Sequence, residues 1–344
     1  MMKSLSGFLL TFALLGVPQG LLTSGGAGPD FIAPVVCRQE AQNSSTELKQ
    51  GRTTQDKGSK KPGKPGGTPG FAGDYVDVYV VKVKPERMTD FIAIAEKFAQ
   101  ANQRSNGDNW LALETIYGEG DTFMFVSTRS SYEEIDQASE AFLSALNRAY
   151  GKEAAEKLLH DWQNCLAGSH SELRRHRWDL SWNAPIDTAA YANYIGDSRV
   201  LRTTAVHVRP GHVAEVEALL KQAKEAGERE TKAQPLFVSE VVEGSQGTTF
   251  YVTALRSSIG GFDNNPTLRD TLGAERYNEL LRVDAESVVG TESSLLRFSP
   301  RLSSPPEEVA ASAADFWHPK PMVAAAATKA KASAAKPTSE KPNQ

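Results

Sequence analysis

Two Glu–Arg pairs are the polar residues with the clearest chemical use. Glu114 is matched with Arg175, and the same residue types recur as Glu240 with Arg297, each Glu on a predicted second strand and each Arg on a fourth. An arginine stays charged and holds a carboxylate through two parallel hydrogen bonds, so such a pair inside a protein orients an anionic or polar ligand. On the rims of a sheet the same residues form surface pairs, and strand alternation does not say which face is inside. We favour the surface interpretation and retain all four as candidate ligand contacts.

The strand around Arg175 carries further candidate ligand contacts. One of its faces presents Arg174, His176 and Trp178. The corresponding face of the second half presents Leu296, Phe298 and Pro300. This asymmetry predicts that the first half is the more polar one and carries a pocket, with Tyr79 and Trp110 as its aromatic wall. His176 and Trp178 therefore join the candidate ligand-binding residues.

Motifs for catalysis are not found in the sequence. It has no glycine-rich phosphate loop, no carboxylate cluster for a metal and no serine elbow. Its two cysteines, Cys37 and Cys165, are too few for a disulfide framework or a thiolate zinc site. Cys165 lies close to an apolar helical stripe, which predicts a small buried hydrophobic residue rather than a nucleophile. We predict no metal and no cofactor, and favour a binding protein over an enzyme.

Composition limits the class of protein. Of 344 residues, 40% are hydrophobic and 23% are charged, and after Leu22 no apolar stretch is long enough to span a bilayer, which excludes a polytopic membrane protein. Residues 38–73 hold seven Lys/Arg and three Asp/Glu, and residues 318–344 hold five Lys and one Glu. Since the net charge is −4, the segment between them is strongly acidic and predicts no nucleic-acid binding. The basic tails suit contact with anionic envelope surfaces.

The composition of the chain ends predicts an export signal and linker segments. Lys3, an apolar run from Phe8 to Leu15 and small residues up to Ala27 predict a signal peptide over residues 1–27. Polar, Gly/Pro/Lys-rich composition predicts a disordered linker over 28–73 and an Ala/Lys/Pro-rich tail over 304–344. We expect a periplasmic or extracellular protein. Lipidation of Cys37 stays open, although Val35 and Val36 do not match the small residue it needs.

The body of the chain contains an internal repeat. Residues 81–85 correspond to 206–210, and residues 120–131 correspond to 247–258. Each copy has the order strand, helix, strand, strand, helix, strand, because Val/Tyr-rich runs alternate with segments whose apolar residues recur at three and four. The predicted strands are 75–84, 110–117, 122–128, 172–181, 236–243, 248–255 and 292–302, and a long helix over 132–166 is predicted to break at Gly151. The predicted domains are a first repeat over 74–182, a linker over 183–197 and a second repeat over 198–303.

The strand–Pro–Gly–helix segment over 206–216, inside a β-α-β-β-α-β unit, resembles the dimeric α+β barrel superfamily of ferredoxin-like domains. It is similar to the antibiotic-biosynthesis monooxygenase and stress-responsive barrel families. The resemblance implies the α+β class, with two tandem ferredoxin-like repeats forming an intramolecular pseudo-dimeric barrel. Some relatives use haem or oxygen, with a histidine on the second helix; the candidate by position, His160, falls on the polar side of its helix and is predicted not to be a ligand.

The sequence therefore predicts an exported tandem α+β barrel protein that binds a small molecule or a partner in the cell envelope. The alternative is a cofactor-independent or haem-assisted monooxygenase-like enzyme. A deep polar cavity beside residues 174–178 favours the enzyme, whereas a barrel filled by side chains favours a structural or interaction role.

Overall fold

The computed structural model describes residues 73–185, 187–229, 234–263 and 268–319. Within them the chain forms eight strands: β1 (Tyr75–Val83), β2 (Leu111–Tyr117), β3 (Thr122–Arg129), β4 (Leu166–His176), β5 (Val200–Val208), β6 (Phe237–Glu243), β7 (Thr249–Arg256) and β8 (Val288–Phe298). The same residues form nine α-helices: α1 (Met88–Ser105), α2 (Tyr132–Tyr150), α3 (Lys152–Cys165), α4 (Thr188–Gly196), α5 (Val213–Arg229), α6 (Leu268–Leu272), α7 (Ala274–Ser287), α8 (Glu307–Ser312) and α9 (Ala314–Trp317). The predicted signal peptide, Cys37, the linker up to residue 72 and the tail from residue 320 lie outside the described residues.

All the described strands belong to one closed antiparallel barrel, in the order β1-β3-β2-β8-β5-β7-β6-β4. Hydrogen bonds between β2 and β8 and between β4 and β6 join the two halves of the chain. The predicted fold class, two tandem ferredoxin-like repeats packed as a pseudo-dimeric α+β barrel, is therefore wrong, because the strands do not form two separate sheets. Within each half the internal order is the same, β4-β1-β3-β2 and β8-β5-β7-β6.

Strand β1 shows why helices must cover the outside of this barrel. Its residues are apolar on both faces: Val78 points to the interior, while Val81 and Val83 belong to a core formed with the helices. Helix α1 supplies Phe91 and Phe98 to this core, which recur at helical spacing and are almost completely buried. The barrel wall is thus buried on two sides, as a strand with no polar face requires.

The long helical stretch after β3 breaks where the sequence predicts. Helix α2 ends and α3 begins around Gly151, whose φ of 80° lies in the left-handed region that favours glycine. Helix α3 then passes without a loop into β4, which begins at Leu166 rather than at the predicted residue 172. Cys165, the last residue of α3, is fully buried in the α1–α3 core, and its predicted role as a small buried hydrophobic residue is confirmed.

Two predicted linkers contain packed structure. Helix α4 lies inside the predicted 183–197 linker, and α8 and α9 lie inside the predicted tail. Trp317 is fully buried against Phe298, and its indole nitrogen donates a hydrogen bond to the carbonyl oxygen of Gly196 at 2.9 Å. The folded region therefore extends beyond the predicted boundary at residue 303, to at least Trp317.

No helix in the described part of the chain combines the length and the apolar character needed to cross a membrane.

Candidate functional site

A cavity of about 370 Å³ lies inside the barrel. Every described strand contributes at least one side chain to its wall, which places it within the closed sheet rather than between the sheet and the helices. Most of the wall is apolar: Val78, Leu113, Val126, Leu201, Phe237, Leu255 and Phe298. Its size and lining are typical of a site for a small, largely apolar ligand.

Helix α4 and the start of α8 cover one end of this cavity. Tyr191 and Ile195 of α4 line it and pack with side chains of the barrel interior. The cavity reaches the surface beside Asn109, Ser130 and Glu308, which are exposed members of its wall. Access is therefore at the end of the barrel where β2 begins and β3 ends.

His176 is the titratable group with the most unusual environment in the cavity. Its ring lies against the indole of Trp178, with centroids 4.5 Å apart and planes inclined by 26°. Among the described residues, neither ring nitrogen of His176 has a hydrogen-bond partner, and the same is true of Trp178 Nε1. Burial lowers the pKa of His176 to about 4, so the imidazole is neutral at pH 7. A neutral imidazole offers one N–H donor and one acceptor nitrogen.

A charged cluster lies deeper on the same face of β4. Arg174 donates from Nε to Glu172 Oε2 at 2.9 Å, and its guanidinium carbon lies 3.3 Å from the ring centroid of Tyr251. The Tyr251 hydroxyl donates to Glu172 Oε1 at 3.1 Å. The carboxylate, the guanidinium and the phenol therefore satisfy one another.

The pKa shifts of this cluster agree with its contacts. Burial raises the pKa of Glu172, but contacts with His170 and Arg174 outweigh burial and lower the pKa to about 2. Burial and the adjacent carboxylate raise the pKa of Tyr251 to about 12. The cluster holds one paired positive and one paired negative charge at pH 7, so Arg174 has no spare charge to offer an anion.

Two of the eight predicted site residues, Trp110 and His176, line the cavity. Trp178 stacks on His176 but is not part of the cavity wall. Tyr79 faces the helices instead, where its ring lies 6.4 Å from that of Phe125. The predicted aromatic wall therefore keeps only Trp110.

The other four predicted residues, Glu114, Arg175, Glu240 and Arg297, alternate with cavity residues and so point away from the interior. The register places Glu114 opposite Arg297 and Arg175 opposite Glu240, so the neighbours come from different halves. Glu240 accepts a hydrogen bond from Arg177 at 2.9 Å. The outward placement agrees with the favoured surface interpretation, although the partners differ from those expected.

The sequence analysis did not assign Glu172 and Tyr251 to a site. Glu172, Arg174 and His176 stand two residues apart on β4, which puts all three on one face, and this spacing was the available signal. No comparable signal marks Tyr251, which meets Glu172 only because β7 and β4 flank the same strand, β6, in the closed barrel.

The histidine in the position of a possible haem ligand lies away from the cavity. His160 is exposed on α3, as its polar helix face predicts. His176 lies in an apolar cluster with Trp178 and Tyr191. The Tyr191 ring is edge-on to the imidazole, with ring centroids 6.4 Å apart. Among the described residues, no group of three His, Cys, Asp or Glu side chains is placed to hold a metal ion.

No known protein-family profile matches the chain, and no curated protein matches it. Solved structures with a similar fold include a candidate monooxygenase from Fusobacterium nucleatum, with 14% identity over 66% of this chain and 93% of that chain and a TM-score of 0.42. An anthrone oxidase-like protein shares 12% identity over 65% of this chain and 91% of its own, with a TM-score of 0.42. A chlorite dismutase from Candidatus Nitrospira defluvii, in complex with imidazole, shares 10% identity over 66% and 91%, with a TM-score of 0.34.

By their descriptions, these neighbours are monooxygenase-like, anthrone oxidase-like and chlorite dismutase proteins. They do not establish a tandem duplication. Because their TM-scores are below 0.5, they establish neither a shared function nor a shared site.

Proposed function

We propose that the barrel binds a small, mainly apolar molecule that carries one hydrogen-bonding group. The observation that carries the proposal is the pair of unpartnered buried nitrogens, His176 Nδ1 and Nε2, at a cavity whose remaining wall is largely apolar. Trp178 Nε1, on the ring stacked against His176, has no hydrogen-bond partner among the described residues either. A buried polar atom without a partner costs on the order of 1–3 kcal/mol, so a ligand that pairs with these atoms gains affinity.

The charges around the cavity favour a neutral ligand over an anion. Arg174 is already paired with Glu172, and His176 is neutral at pH 7. Glu134 and Glu308 also belong to the wall and add negative charge near the opening. The Glu–Arg pairs in the sequence led us to expect an anionic or polar ligand. The charges around the cavity favour a neutral ligand instead.

Binding of N-phenyl-1-naphthylamine, a neutral aromatic amine, tests this proposal. Its fluorescence rises in apolar surroundings, and its N–H can donate to the acceptor nitrogen of His176. We expect saturable binding of one molecule per chain, loss of binding in V126F, which fills the cavity, and weaker binding in H176F. V289F makes the same Val-to-Phe change at an exposed position and serves as the control. Equal binding by V126F and the wild type contradicts an interior site.

The alternative function is an enzyme in which His176 accepts a proton from the substrate. A neutral imidazole with a free nitrogen is the arrangement that a cofactor-independent oxygenase needs to accept a proton from its substrate. A pKa of about 4 makes His176 a weak base at neutral pH, however, so its proton affinity is poorly matched to that task. The low pKa of His176 therefore favours a binding role over proton abstraction.

We also propose that the protein is exported and meets its ligand in the cell envelope, with residues 28–72 as a tether and the basic tails near anionic surfaces. Support comes from Lys3, the apolar run after it and the small residues up to Ala27. N-terminal sequencing of protein recovered from fractionated cells tests this proposal. A mature chain that starts near Gly28 agrees with it, and a cytosolic chain that still starts at Met1 contradicts it.

A further inference from the structure

Four polar residues of the cavity wall form a continuous row across neighbouring strands. His176 on β4 pairs in register with Ser239 on β6. Thr253 on β7 pairs with Thr203 on β5, and their hydroxyl oxygens are hydrogen-bonded at 3.0 Å. Ser239 and Thr253 are diagonal neighbours, because Phe237, two residues before Ser239, is the register partner of Thr253. All four residues line the cavity, and we call them the polar row.

The other half of the barrel wall carries an apolar row at the same register positions. Strand β8 pairs with β2 as β4 pairs with β6, and β3 pairs with β1 as β7 pairs with β5. The residues at the equivalent pairs are Phe298 with Leu113 and Val126 with Val78, and all four line the cavity. Valine therefore stands where the polar row has threonine, with a methyl group in place of the hydroxyl. One side of the cavity is polar along this row and the other side is apolar.

The polar row contains three hydrogen-bond donors that lack an acceptor. Only one of the two threonine hydroxyls can donate to the other, so one hydrogen of that pair is left over. The hydroxyl of Ser239, a residue that is 9% exposed, forms no hydrogen bond within the described part of the chain. The neutral imidazole of His176 adds one N–H. A buried donor without an acceptor is rarer in proteins than an acceptor with a spare lone pair, so these three hydrogens favour an acceptor in the cavity.

We propose that the polar row selects a neutral ligand with a carbonyl group, which it binds through the carbonyl oxygen while the hydrocarbon part of the ligand lies against the apolar row. This inference rests on the proposed function, because it assigns the hydrogen-bonding group of the ligand in the same cavity. A carbonyl oxygen has two lone pairs and no hydrogen, so it accepts hydrogen bonds from two of the three donors.

Other polar groups match the polar row less well. A ligand hydroxyl also accepts hydrogen bonds, but it adds a fourth hydrogen to a row that already has more donors than acceptors. A carboxylate accepts well, but its charge is opposed by Glu134 and Glu308 in the cavity wall, and Arg174 is already paired with Glu172. A neutral acceptor without a hydrogen satisfies both conditions.

Three compounds with one bicyclic skeleton test the class of ligand. 1-Tetralone carries a carbonyl group, 1-tetralol carries a hydroxyl at the same carbon, and tetralin carries neither. Isothermal titration calorimetry of the full chain measures their Kd values, and binding of N-phenyl-1-naphthylamine is measured in parallel. We expect 1-tetralone to bind about fivefold or more tightly than either other compound, since it gains two hydrogen bonds and brings no unpaired hydrogen.

The results separate this inference from the proposed function. Tighter binding of 1-tetralol overturns the carbonyl assignment, and 1-tetralone binding no more tightly than tetralin overturns the role of the polar row. In both cases the cavity site stands if N-phenyl-1-naphthylamine still binds. Absence of binding by all four compounds overturns the proposed function together with this inference.

Variants that remove hydroxyl groups without adding bulk test the residues of the polar row. We expect S239A to raise the Kd of 1-tetralone about two- to tenfold and to leave that of tetralin unchanged, since it removes one donor. S171A makes the same change at an exposed position of β4 and is the matched control, expected to bind both compounds like the wild type. A double variant, T203V with T253V, copies the valine pair of the apolar row and is expected to weaken 1-tetralone binding in the same way. Unchanged affinity for 1-tetralone in both S239A and the double variant overturns the proposal.

Discussion

The imidazole of His176, the last residue of β4, stacks at 4.5 Å on the indole of Trp178, two residues further on, and together they present three buried nitrogens without partners among the described residues. The two rings contact each other through their faces, and the nitrogens on their edges are left without hydrogen-bond partners. This relationship makes the protonation of His176 a direct reporter of the environment inside the barrel.

The first prediction is that His176 weakens the fold in mild acid. Its pKa is about 4 in the folded chain and about 6.5 when unfolded, so between these values the unfolded state binds more protons and stability falls as pH decreases. By pH 4 this loss amounts to about 3 kcal/mol. H176F removes it, so urea unfolding at pH 7, 5.5 and 4.5 should give a flatter profile than the wild type. H160F, on exposed His160, is the control, and parallel profiles for wild type and H176F contradict the prediction.

The second prediction concerns Glu172 as the counter-ion of Arg174. E172Q leaves a buried guanidinium unpaired, and we expect a loss of about 3–5 kcal/mol in the free energy of unfolding at pH 7. In the wild type this contribution is present above pH 4.5 and is lost as pH falls towards 2, because the folded pKa of Glu172 is the lower one. Chemical denaturation of E172Q beside E279Q, which changes an exposed carboxylate paired with Arg282, measures it. Equal stability of the two variants would show that the cluster is not structural.

The third prediction is that the segment after residue 303 is part of the folded unit. Trp317 is fully buried and donates to the Gly196 carbonyl, so W317A should cost about 3–5 kcal/mol. A chain that stops after residue 303 should lose at least as much, whereas one that stops after residue 319 keeps every described contact. Urea denaturation of the three variants compares them, and a stable chain ending at 303 contradicts this assignment.

Sequence patterns located most strands and the helix break at Gly151, because these depend on local residue types. The start of β4 was missed since α3 runs into it at Cys165 and Leu166 without a turn residue. Helix α8 was missed because Val309 and Ala310 acquire their partners from α4, more than a hundred residues earlier.

The site was predictable only where neighbours along one strand define it. Arg174 and His176 share a face of β4, as the sequence predicts, whereas Trp178 lies two residues beyond the end of the strand. The outward direction of Arg175 and Glu240 depends on how the barrel closes, and closure is decided by pairing between distant strands. Alternation supplies two faces, and only the tertiary structure tells which is inside.

The last prediction is that neither half of the barrel folds alone as a monomer. In a fragment that ends at residue 185, β2 loses its hydrogen bonds to β8 and β4 loses those to β6, so two edges are exposed together with the apolar interior face. We expect this fragment to aggregate or self-associate, and to recover a cooperative unfolding transition when it is co-expressed with a fragment that begins at residue 187. Light scattering gives the mass of each fragment, and denaturation followed by tryptophan fluorescence gives its cooperativity. A monomeric first fragment that unfolds with the steepness of the intact chain would mean that β2–β8 and β4–β6 pairing is dispensable for folding.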